Sequence, residues 1–176
     1  MKNQVKIVLV GMPGSGKSTL GKEIANKLGF KIYDLDDLIV KREGESIPKI
    51  FMDKGEGYFR RLESNVLSDA LDRDEAFVLS TGGGAPCYNE NMEIINQKGI
   101  SVFLDVSLEQ ILERLTKGEV AKRPLFQGLE TGEITLKLQD MLSERIDYYE
   151  KAKIKLSGDD ISAELLISEL LTFFRS

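Results

Sequence analysis

The stretch GMPGSGKST, residues 11–19, separates an apolar run at residues 5–10 from a segment of helical periodicity that begins at Lys17. It satisfies the pattern GxxxxGKS/T between a predicted strand and a predicted helix, which is the context that this pattern requires. Its glycines let successive backbone N–H groups curl around a phosphate, and the helix N-terminus adds the positive end of its dipole. The stretch therefore predicts a loop that binds the phosphates of a nucleotide triphosphate.

Two side chains of this loop predict a ligand of the Mg-ATP type. Lys17 is expected to reach the β- and γ-phosphates, and the Ser18 hydroxyl to ligate magnesium. A second magnesium ligand should come from another strand end, and Asp34 is the stronger candidate because Asp36 follows it on the same side of an extended chain. Asp105 is interpreted as a structural residue near a helix N-terminus. The alternatives are a flexible glycine-rich turn for the loop and a solvated acidic turn for the aspartates.

Apolar strands alternate with amphipathic helices along the chain, from residues 5–10 and 17–28 to residues 154–156 and 162–174. This order predicts a parallel sheet covered by helices on both faces, with ligands at the carboxyl ends of the strands. No linker or repeat divides the 176 residues, so we expect one domain. Residues 118–132 break the periodicity and form a long connection, which is typical of a lid.

The composition narrows the classes of function. A net charge of -5 argues against a nucleic-acid partner, and the absence of histidine leaves proton transfer to a carboxylate. Cys87 is the only cysteine, so an internal disulfide is excluded. No apolar run approaches the roughly 20 residues of a membrane span, and residues 1–10 lack the features of a signal peptide. We therefore expect a cytoplasmic protein that has no membrane partner.

The phosphate loop does not say what receives the phosphate. A GTPase would need a guanine-reading NKxD stretch, and the sequence contains none. A kinase for a small molecule needs a base near the acceptor hydroxyl, donors that hold the acceptor, and an arginine over the transferring phosphoryl. Arg60, Arg123 and Arg145 suit such roles because a guanidinium binds a carboxylate or a phosphate at two points. The alternative is that Arg60 is solvated and that Arg145 pairs with Asp140 or Glu144.

Six stretches, in this order and spacing, resemble the shikimate kinases: GMPGSGKST, YDLDD, FRRLES, STGGGA, RPLF and SERIDYY, from Gly11 to about Tyr149. The resemblance implies a nucleoside-monophosphate-kinase-like α/β fold, a P-loop three-layer sandwich whose five-stranded parallel sheet is flanked by helices on both faces. It implies transfer of the γ-phosphoryl of ATP to the 3-hydroxyl of shikimate, giving shikimate 3-phosphate and ADP in chorismate and aromatic amino acid biosynthesis. It also implies a single kinase domain over residues 1–176, with acceptor-binding helices at about 34–71 and a lid loop at about 118–132.

The resemblance further implies roles for individual residues. The ATP phosphates would be bound by a run of the phosphate loop and by the lid arginine: Gly14, Ser15, Gly16, Lys17, Ser18, Thr19 and Arg123. One Mg²⁺ per subunit would be held by Ser18 and Asp34. Asp36 would bind the shikimate hydroxyls and act as the base, and the carboxylate and ring would be held by three further residues: Arg60, Arg145 and Gly83. The catalytic residues would then be Asp36, Lys17 and Arg123.

One stretch departs from the family pattern. Residues 156–162, LSGDDIS, lack the arginine that the family often has near the adenine, so no adenine contact is assigned. The expected ligands are shikimate and ATP, with no nucleic acid or membrane partner, and the expected assembly is a monomer. The rival interpretations are a kinase of the same fold that acts on gluconate or a nucleoside monophosphate, and a non-catalytic module that uses ATP only to order its lid.

Overall fold

The chain forms five strands and seven α-helices in the part that the structure, a computed structural model, describes: residues 4–119, 124–158 and 160–175. The strands are β1 (Lys6–Val10), β2 (Lys31–Asp34), β3 (Phe77–Ser80), β4 (Ile100–Asp105) and β5 (Ile154–Ser157). The helices are α1 (Lys17–Leu28), α2 (Leu35–Glu43), α3 (Ile47–Leu71), α4 (Asn91–Lys98), α5 (Leu108–Arg114), α6 (Thr131–Tyr149) and α7 (Ala163–Arg175).

The strands form one parallel sheet in the order β2-β3-β1-β4-β5. The central strands β1, β3 and β4 are buried almost throughout, whereas the edge strand β5 alternates between buried and exposed residues. Continuous burial is expected for parallel strands that helices cover on both faces. The predicted parallel α/β sheet with helices on both faces is therefore confirmed, and none of the helices in the described ranges is long and apolar enough to cross a membrane.

Most element boundaries lie within a few residues of their predicted positions. Helix α1 ends as predicted at Gly29, whose φ of 66° places it in the left-handed region that glycine adopts readily. Helix α3 has Pro48 in its first turn and is interrupted by non-helical backbone at Gly55. Helix α2 lies within residues 34–71, where acceptor-binding helices were predicted, although Asp36 in its first turn was predicted on an extended chain.

The sheet brings three loops to one edge. Strand β1 leads into the phosphate loop, β2 ends at Asp34, and β3 ends at Ser80 immediately before the three glycines. Because β3 lies between β2 and β1, the carboxyl ends of these strands are neighbours. Ligands of open parallel sheets bind at this edge, so the topology alone places the predicted phosphate loop beside the predicted acceptor residues.

Candidate active site

The phosphate loop connects β1 to α1, and the side chain of its lysine is hydrogen-bonded to the loop's own backbone. Gly16 precedes the helix with a φ of 94°, a conformation that a residue with a Cβ rarely adopts. The Lys17 ammonium group donates to the carbonyl oxygens of Gly11 and Met12, at 2.8 Å each, and the residue is buried. The loop is thus shaped before any phosphate arrives, and Lys17 lies at its centre.

A cleft of about 740 Å³ opens over this loop at the carboxyl ends of the strands. Its walls include every residue predicted to bind the nucleotide phosphates from the loop, together with three residues predicted on the metal and acceptor side: Gly14, Ser15, Gly16, Lys17, Ser18, Thr19, Asp34, Asp36 and Gly83. Arg60 and Arg145 are not among the lining residues. They approach the glycine run that forms one wall, as described below.

The two residues predicted to hold magnesium, Ser18 and Asp34, lie next to each other in the cleft. The Ser18 hydroxyl lies 3.3 Å from an Asp34 carboxylate oxygen and 3.3 Å from the Ser80 hydroxyl. Hydroxyl and carboxylate oxygens are ligands of Mg²⁺, which commonly binds only one or two protein carboxylates beside phosphate and water. Asp105 is engaged elsewhere, since it accepts from Ser157 at 3.0 Å and pairs with Lys155 at 3.1 Å, as a structural residue would.

Asp34 ends β2 with extended backbone, as predicted, but Asp36 lies in the first turn of α2, so the prediction that Asp36 continues an extended chain was wrong. Asp34 is the N-cap of α2, and its carboxylate accepts the backbone N–H of Asp36 at 2.9 Å. Aspartate is a preferred N-cap because its side chain satisfies one of the free N–H groups of the first turn. Both carboxylates nevertheless line the cleft, because Asp36 projects from the first turn of α2.

Asp36 lies in an environment that disfavours its charged form. Desolvation by the surrounding protein is the largest effect, and the nearby Asp34 carboxylate adds to it, so the pKa of Asp36 is raised to about 6 although Lys17 opposes the change. The residue is also exposed, since it borders the open cleft, and water there can still reach and screen it. A carboxylate with a pKa close to neutrality is suited to accept a proton from an alcohol.

Arg60 is held on α3 by two carboxylates. One end of its guanidinium donates to Glu63 at 2.8 Å, and the other lies 3.3 Å from Glu56. Glu63 is only 1% exposed, and its burial raises the pKa of its carboxyl group against the opposing effect of Arg60. The side chain of Arg60 is 15% exposed, so the arginine is half-buried and fixed rather than solvated, whereas its neighbour Arg61 is exposed.

The glycine run after β3 brings the two arginines close to the backbone. A Cβ at Gly84 would lie 3.0 Å from both terminal nitrogens of Arg60, and one at Gly83 would lie 3.1 Å from a terminal nitrogen of Arg145. The same Cβ at Gly83 would lie 2.8 Å from the Pro13 ring of the phosphate loop. The Pro13 ring leaves no room for a Cβ at Gly83, and the run lies between the phosphate loop and both arginines.

Tyr149 holds this arrangement from α6. Its hydroxyl group donates to the Gly83 carbonyl oxygen at 2.6 Å, and its ring is fully buried against Phe103 at a centroid distance of 5.2 Å. Arg145 lies one helical turn earlier on the same face. Within the described ranges, Arg145 forms no ion pair with Asp140 or Glu144, the neighbours that the alternative interpretation named.

Several residues of the site were not identified from the sequence. Glu63 supports Arg60, Tyr149 supports Gly83, and Arg114 lines the cleft with its guanidinium 3.3 Å from the Gly14 carbonyl oxygen. A signal existed for Glu63 alone, because it falls on the apolar face of α3 beside Leu62, where a charged residue needs a partner. Arg123, the predicted lid arginine, lies outside the described residues.

The fold and the site together define a class of protein. A phosphate loop with its lysine and a serine–aspartate pair face a carboxylate of raised pKa, and two arginines approach the same wall of the cleft. These are the parts of a P-loop kinase that phosphorylates a small anionic alcohol.

Comparison with known proteins names the family. The sequence profile described as shikimate kinase matches residues 13–175. The shikimate kinase of Sulfurihydrogenibium sp. (strain YO3AOP1) is 41% identical over 173 residues, covering 98% of this chain and 97% of its own. That of Clostridium botulinum (strain 657 / Type Ba4) is 44% identical over 146 residues, covering 83% of each chain.

Solved structures agree with the sequence comparisons. The crystal structure of shikimate kinase from Bacteroides thetaiotaomicron superposes with a TM-score of 0.85 at 35% identity, covering 98% of this chain and 99% of that one. Shikimate kinase from Acinetobacter baumannii in complex with shikimate gives a TM-score of 0.83 at 36% identity, covering 97% and 93%. The chain belongs to the shikimate kinase family and is an ATP-dependent kinase.

Proposed function

We propose that this chain transfers the γ-phosphoryl group of ATP to the 3-hydroxyl of shikimate, with Asp36 as the base. One observation carries the proposal: Asp36 and the phosphate loop line one cleft, and Arg60 and Arg145 reach the glycine run in its wall. A single wall thus presents a proton acceptor and two carboxylate-binding cations to a ligand placed next to the γ-phosphate. Shikimate has the hydroxyl and the carboxylate that such a wall would bind.

The phosphate loop would bind the nucleotide. Backbone N–H groups of residues 14–19 and the N-terminus of α1 would cradle the phosphates. Lys17 would exchange the carbonyl oxygens of Gly11 and Met12 for phosphate oxygens, a short movement for a flexible side chain that is already in place. Arg114, which lines the cleft and contacts the Gly14 carbonyl oxygen, would contact the nucleotide as well.

One Mg²⁺ per subunit would be held by Ser18 and Asp34. The separation of 3.3 Å between their oxygens fits two ligands of one ion. Two protein ligands suffice for Mg²⁺, because phosphate and water oxygens would complete its coordination. When bound, the ion would partly neutralise the charge on the β- and γ-phosphates. Asp34 also caps α2, so the helix fixes the direction of its carboxylate.

The acceptor would bind beside the glycine run that forms one wall of the cleft. Arg60 and Arg145 would bind the shikimate carboxylate, the Gly83 backbone would contact the ring, and Asp36 would bind the hydroxyls and receive the proton of the attacking one. Most of the rate enhancement would come from position and charge, since phosphoryl transfer asks little covalent chemistry of the protein.

The lid and the domain organisation are part of the same proposal. Arg123 would close over the phosphates from the lid loop at residues 118–132, and the helices of residues 34–71 would bind the acceptor, within one kinase domain. Exclusion of water from the γ-phosphate is the physical reason for such closure. A monomer in the cytoplasm is the simplest setting and stays a prediction.

The acceptor assignment is tested by comparing two neighbouring arginines. We expect Arg60→Ala to weaken shikimate binding by about 2 to 5 kcal/mol, because it removes one partner of a desolvated charge pair. Arg61→Ala is the matched control, because the exposed Arg61 lies on the same helix and has the same charge. Steady-state kinetics would measure the KM for shikimate and for ATP in both variants, and an unchanged shikimate KM in Arg60→Ala would remove Arg60 from the role.

The substrate is tested by the release of ADP. Purified protein is supplied with Mg-ATP and, in separate reactions, shikimate, gluconate or a nucleoside monophosphate. We expect shikimate alone to stimulate ADP release and to yield a phosphorylated product. Stimulation by another acceptor would change the substrate, and ATP binding without any phosphorylated product would indicate a non-catalytic module.

A further inference from the structure

The turn that follows the glycine run contains unusual backbone. Asn89 and Glu90 have φ values of 49° and 58°, and within the described ranges they are the only residues other than glycine with positive φ. Side chains with a Cβ adopt this region rarely, and two in succession persist only where surrounding contacts hold them. The turn joins the short helix at Ala85–Cys87 to α4, next to the site.

The contacts that hold the turn are made to α3 at Arg60 itself. The Asn89 side-chain amide donates to the Arg60 carbonyl oxygen at 3.1 Å and to the Ser64 hydroxyl at 2.9 Å. The Ser64 hydroxyl in turn donates to the same Arg60 carbonyl oxygen at 2.9 Å. The turn is therefore hydrogen-bonded to the backbone of Arg60, the residue whose guanidinium would bind the acceptor.

The residue before this turn covers that guanidinium. The central carbon of the Arg60 guanidinium lies 4.0 Å from the centroid of the Tyr88 ring, which is cation–π distance. The Tyr88 hydroxyl lies 3.4 Å from Glu56, the carboxylate that also contacts Arg60 at 3.3 Å. Glu63 and Glu56 contact the two ends of the guanidinium, and the Phe59 ring lies 5.3 Å from its central carbon; the nearer ring of Tyr88, at 4.0 Å, further limits rotation of the guanidinium plane.

We propose that Tyr88 is a positioning residue that sets the plane of the Arg60 guanidinium for the acceptor carboxylate, held in place by the turn at Asn89 and Glu90. The proposal rests on the proposed function of Arg60 as a carboxylate-binding residue. Two-point binding of a carboxylate requires the guanidinium and the carboxylate to share a plane, so the plane matters as much as the charge. Tyr88 acts on acceptor binding and not on the transfer step.

The experiment compares Tyr88→Leu with Tyr88→Phe. Leucine keeps apolar volume but has no π face, and we expect it to raise the KM for shikimate by about three- to tenfold, the effect of a lost cation–π contact. Phenylalanine keeps the π face and is expected to restore the KM to within twofold of that of the unsubstituted chain. The kcat and the KM for ATP should stay within twofold in both variants, which a general loss of structure would not allow.

A control and a double substitution isolate the contact. Tyr148→Leu removes another exposed tyrosine with a cation over its ring, Lys151 at 5.4 Å, and should leave the shikimate KM unchanged. In the Arg60→Ala background, Tyr88→Leu should have no further effect, because the guanidinium that it positions is gone. An undiminished effect of Tyr88→Leu in that background would overturn the proposal.

Failure of this proposal is distinguishable from failure of the proposed function. If Arg60→Ala raises the shikimate KM and Tyr88→Leu does not, Arg60 binds the acceptor and Tyr88 does not position it. If neither variant changes the KM, the role of Arg60 is wrong and the proposal falls with it. Asn89→Gly supplies a second test should Tyr88→Leu not fold, because glycine keeps the positive φ and removes both amide contacts. It should raise the shikimate KM in the same direction, and an unchanged KM would count against the proposal.

Discussion

Asp36 illustrates at the residue scale how a site can be arranged for reaction at the expense of stability. Its carboxylate borders the cleft, and the described structure gives it no hydrogen-bond donor of its own. Desolvation and the adjacent Asp34 charge both favour its protonated form. The charged form at neutral pH is therefore less stable in the folded protein than in the unfolded chain, and it is the form that a base needs.

Substitution of this carboxylate tests its catalytic role. Asp36→Asn should lower kcat by about two to four powers of ten, the usual effect of a lost general base. In the unsubstituted chain, kcat/KM for shikimate should fall as the pH is lowered below about 6, because protonation removes the base. Rates measured between acidic and alkaline pH would show this limb, which should be absent from the residual activity of the variant. Near-normal turnover in the variant would remove Asp36 from the role.

The same substitution should raise stability at neutral pH. Since the pKa of Asp36 is raised from 3.8 to about 6 on folding, its contribution is favourable below the lower value and is lost as the pH rises through the upper one. Asp36→Asn removes the charge, so its Tm should exceed that of the unsubstituted chain at pH above 6. The difference should shrink as the pH is lowered towards 4. Thermal unfolding at several pH values measures this, and equal Tm values throughout would show that water in the cleft screens the charge fully.

At the scale of elements, α3 combines two segments with different tasks. Its first segment begins at Ile47 with Pro48 in the opening turn, and its second carries Arg60 and Glu63. Gly55 separates them with φ 79° and ψ 171°, a combination that is almost exclusive to glycine. The interruption lets α3, which packs against α2, change direction between its first segment and the segment that carries Arg60.

Two glycines of this helix should respond in opposite ways to the same substitution. Gly55→Ala forces a Cβ into the positive φ region and should destabilise the protein by about 1 to 3 kcal/mol. Gly57→Ala adds a Cβ to an ordinary helical residue, where the nearest atom is 3.7 Å away, and should stabilise by about 0.5 to 1 kcal/mol. Urea unfolding of both variants measures the two free energies of unfolding. Equal effects would show that Gly55 does not need its observed backbone conformation.

At the scale of the whole molecule, the cleft extends to the segment that follows the predicted lid arginine. Leu125 and Phe126, which follow the undescribed residues 120–123, contribute to its lining. Phe126 is fully buried and anchors this end of the loop, whereas Leu125 is 47% exposed. The C-terminal part of the predicted lid is therefore attached to the core at Phe126.

Ligand binding should protect the lid from hydrogen exchange. With a non-hydrolysable ATP analogue and shikimate together, amides of residues 118–130 should exchange more slowly than in the free protein, because closure excludes water. Residues 72–76 serve as the control, since they precede β3 at the opposite edge of the sheet. If residues 118–130 are protected to the same extent with and without ligands, the lid interpretation is wrong.

The sequence predicted the sheet and the phosphate loop well because both depend on local patterns. Buried parallel strands appear as continuous apolar runs, and GxxxxGKS/T constrains a loop through its own backbone. The start of helix α2 was misplaced: Asp34, Asp36 and Asp37 form an acidic first turn with a preferred N-cap, but Asp36 was interpreted as continuing the extended chain that ends at Asp34. The error therefore concerned the interpretation of a local signal, not a tertiary effect.

The support of the arginines could not be predicted in the same way. Arg60 lies on α3 and Arg145 on α6, and what places both beside one wall is the space left by Gly83 and Gly84. The contact of Tyr88 with Arg60 likewise joins two segments through a turn of rare backbone conformation. Neither arrangement can be recognised from a fixed spacing of residues along the chain.

The sequence by itself determined the class of fold, the phosphate loop and, through its resemblance, the family; the roles of the site residues stay predictions. Short-range patterns suffice for these, because hydrophobic periodicity and glycine placement act within a few residues. Only the tertiary structure decided the raised pKa of Asp36, the burial of Glu63 beneath Arg60 and the approach of Tyr88. Desolvation and charge pairing depend on which groups meet in space, and the chain order alone does not specify those neighbours.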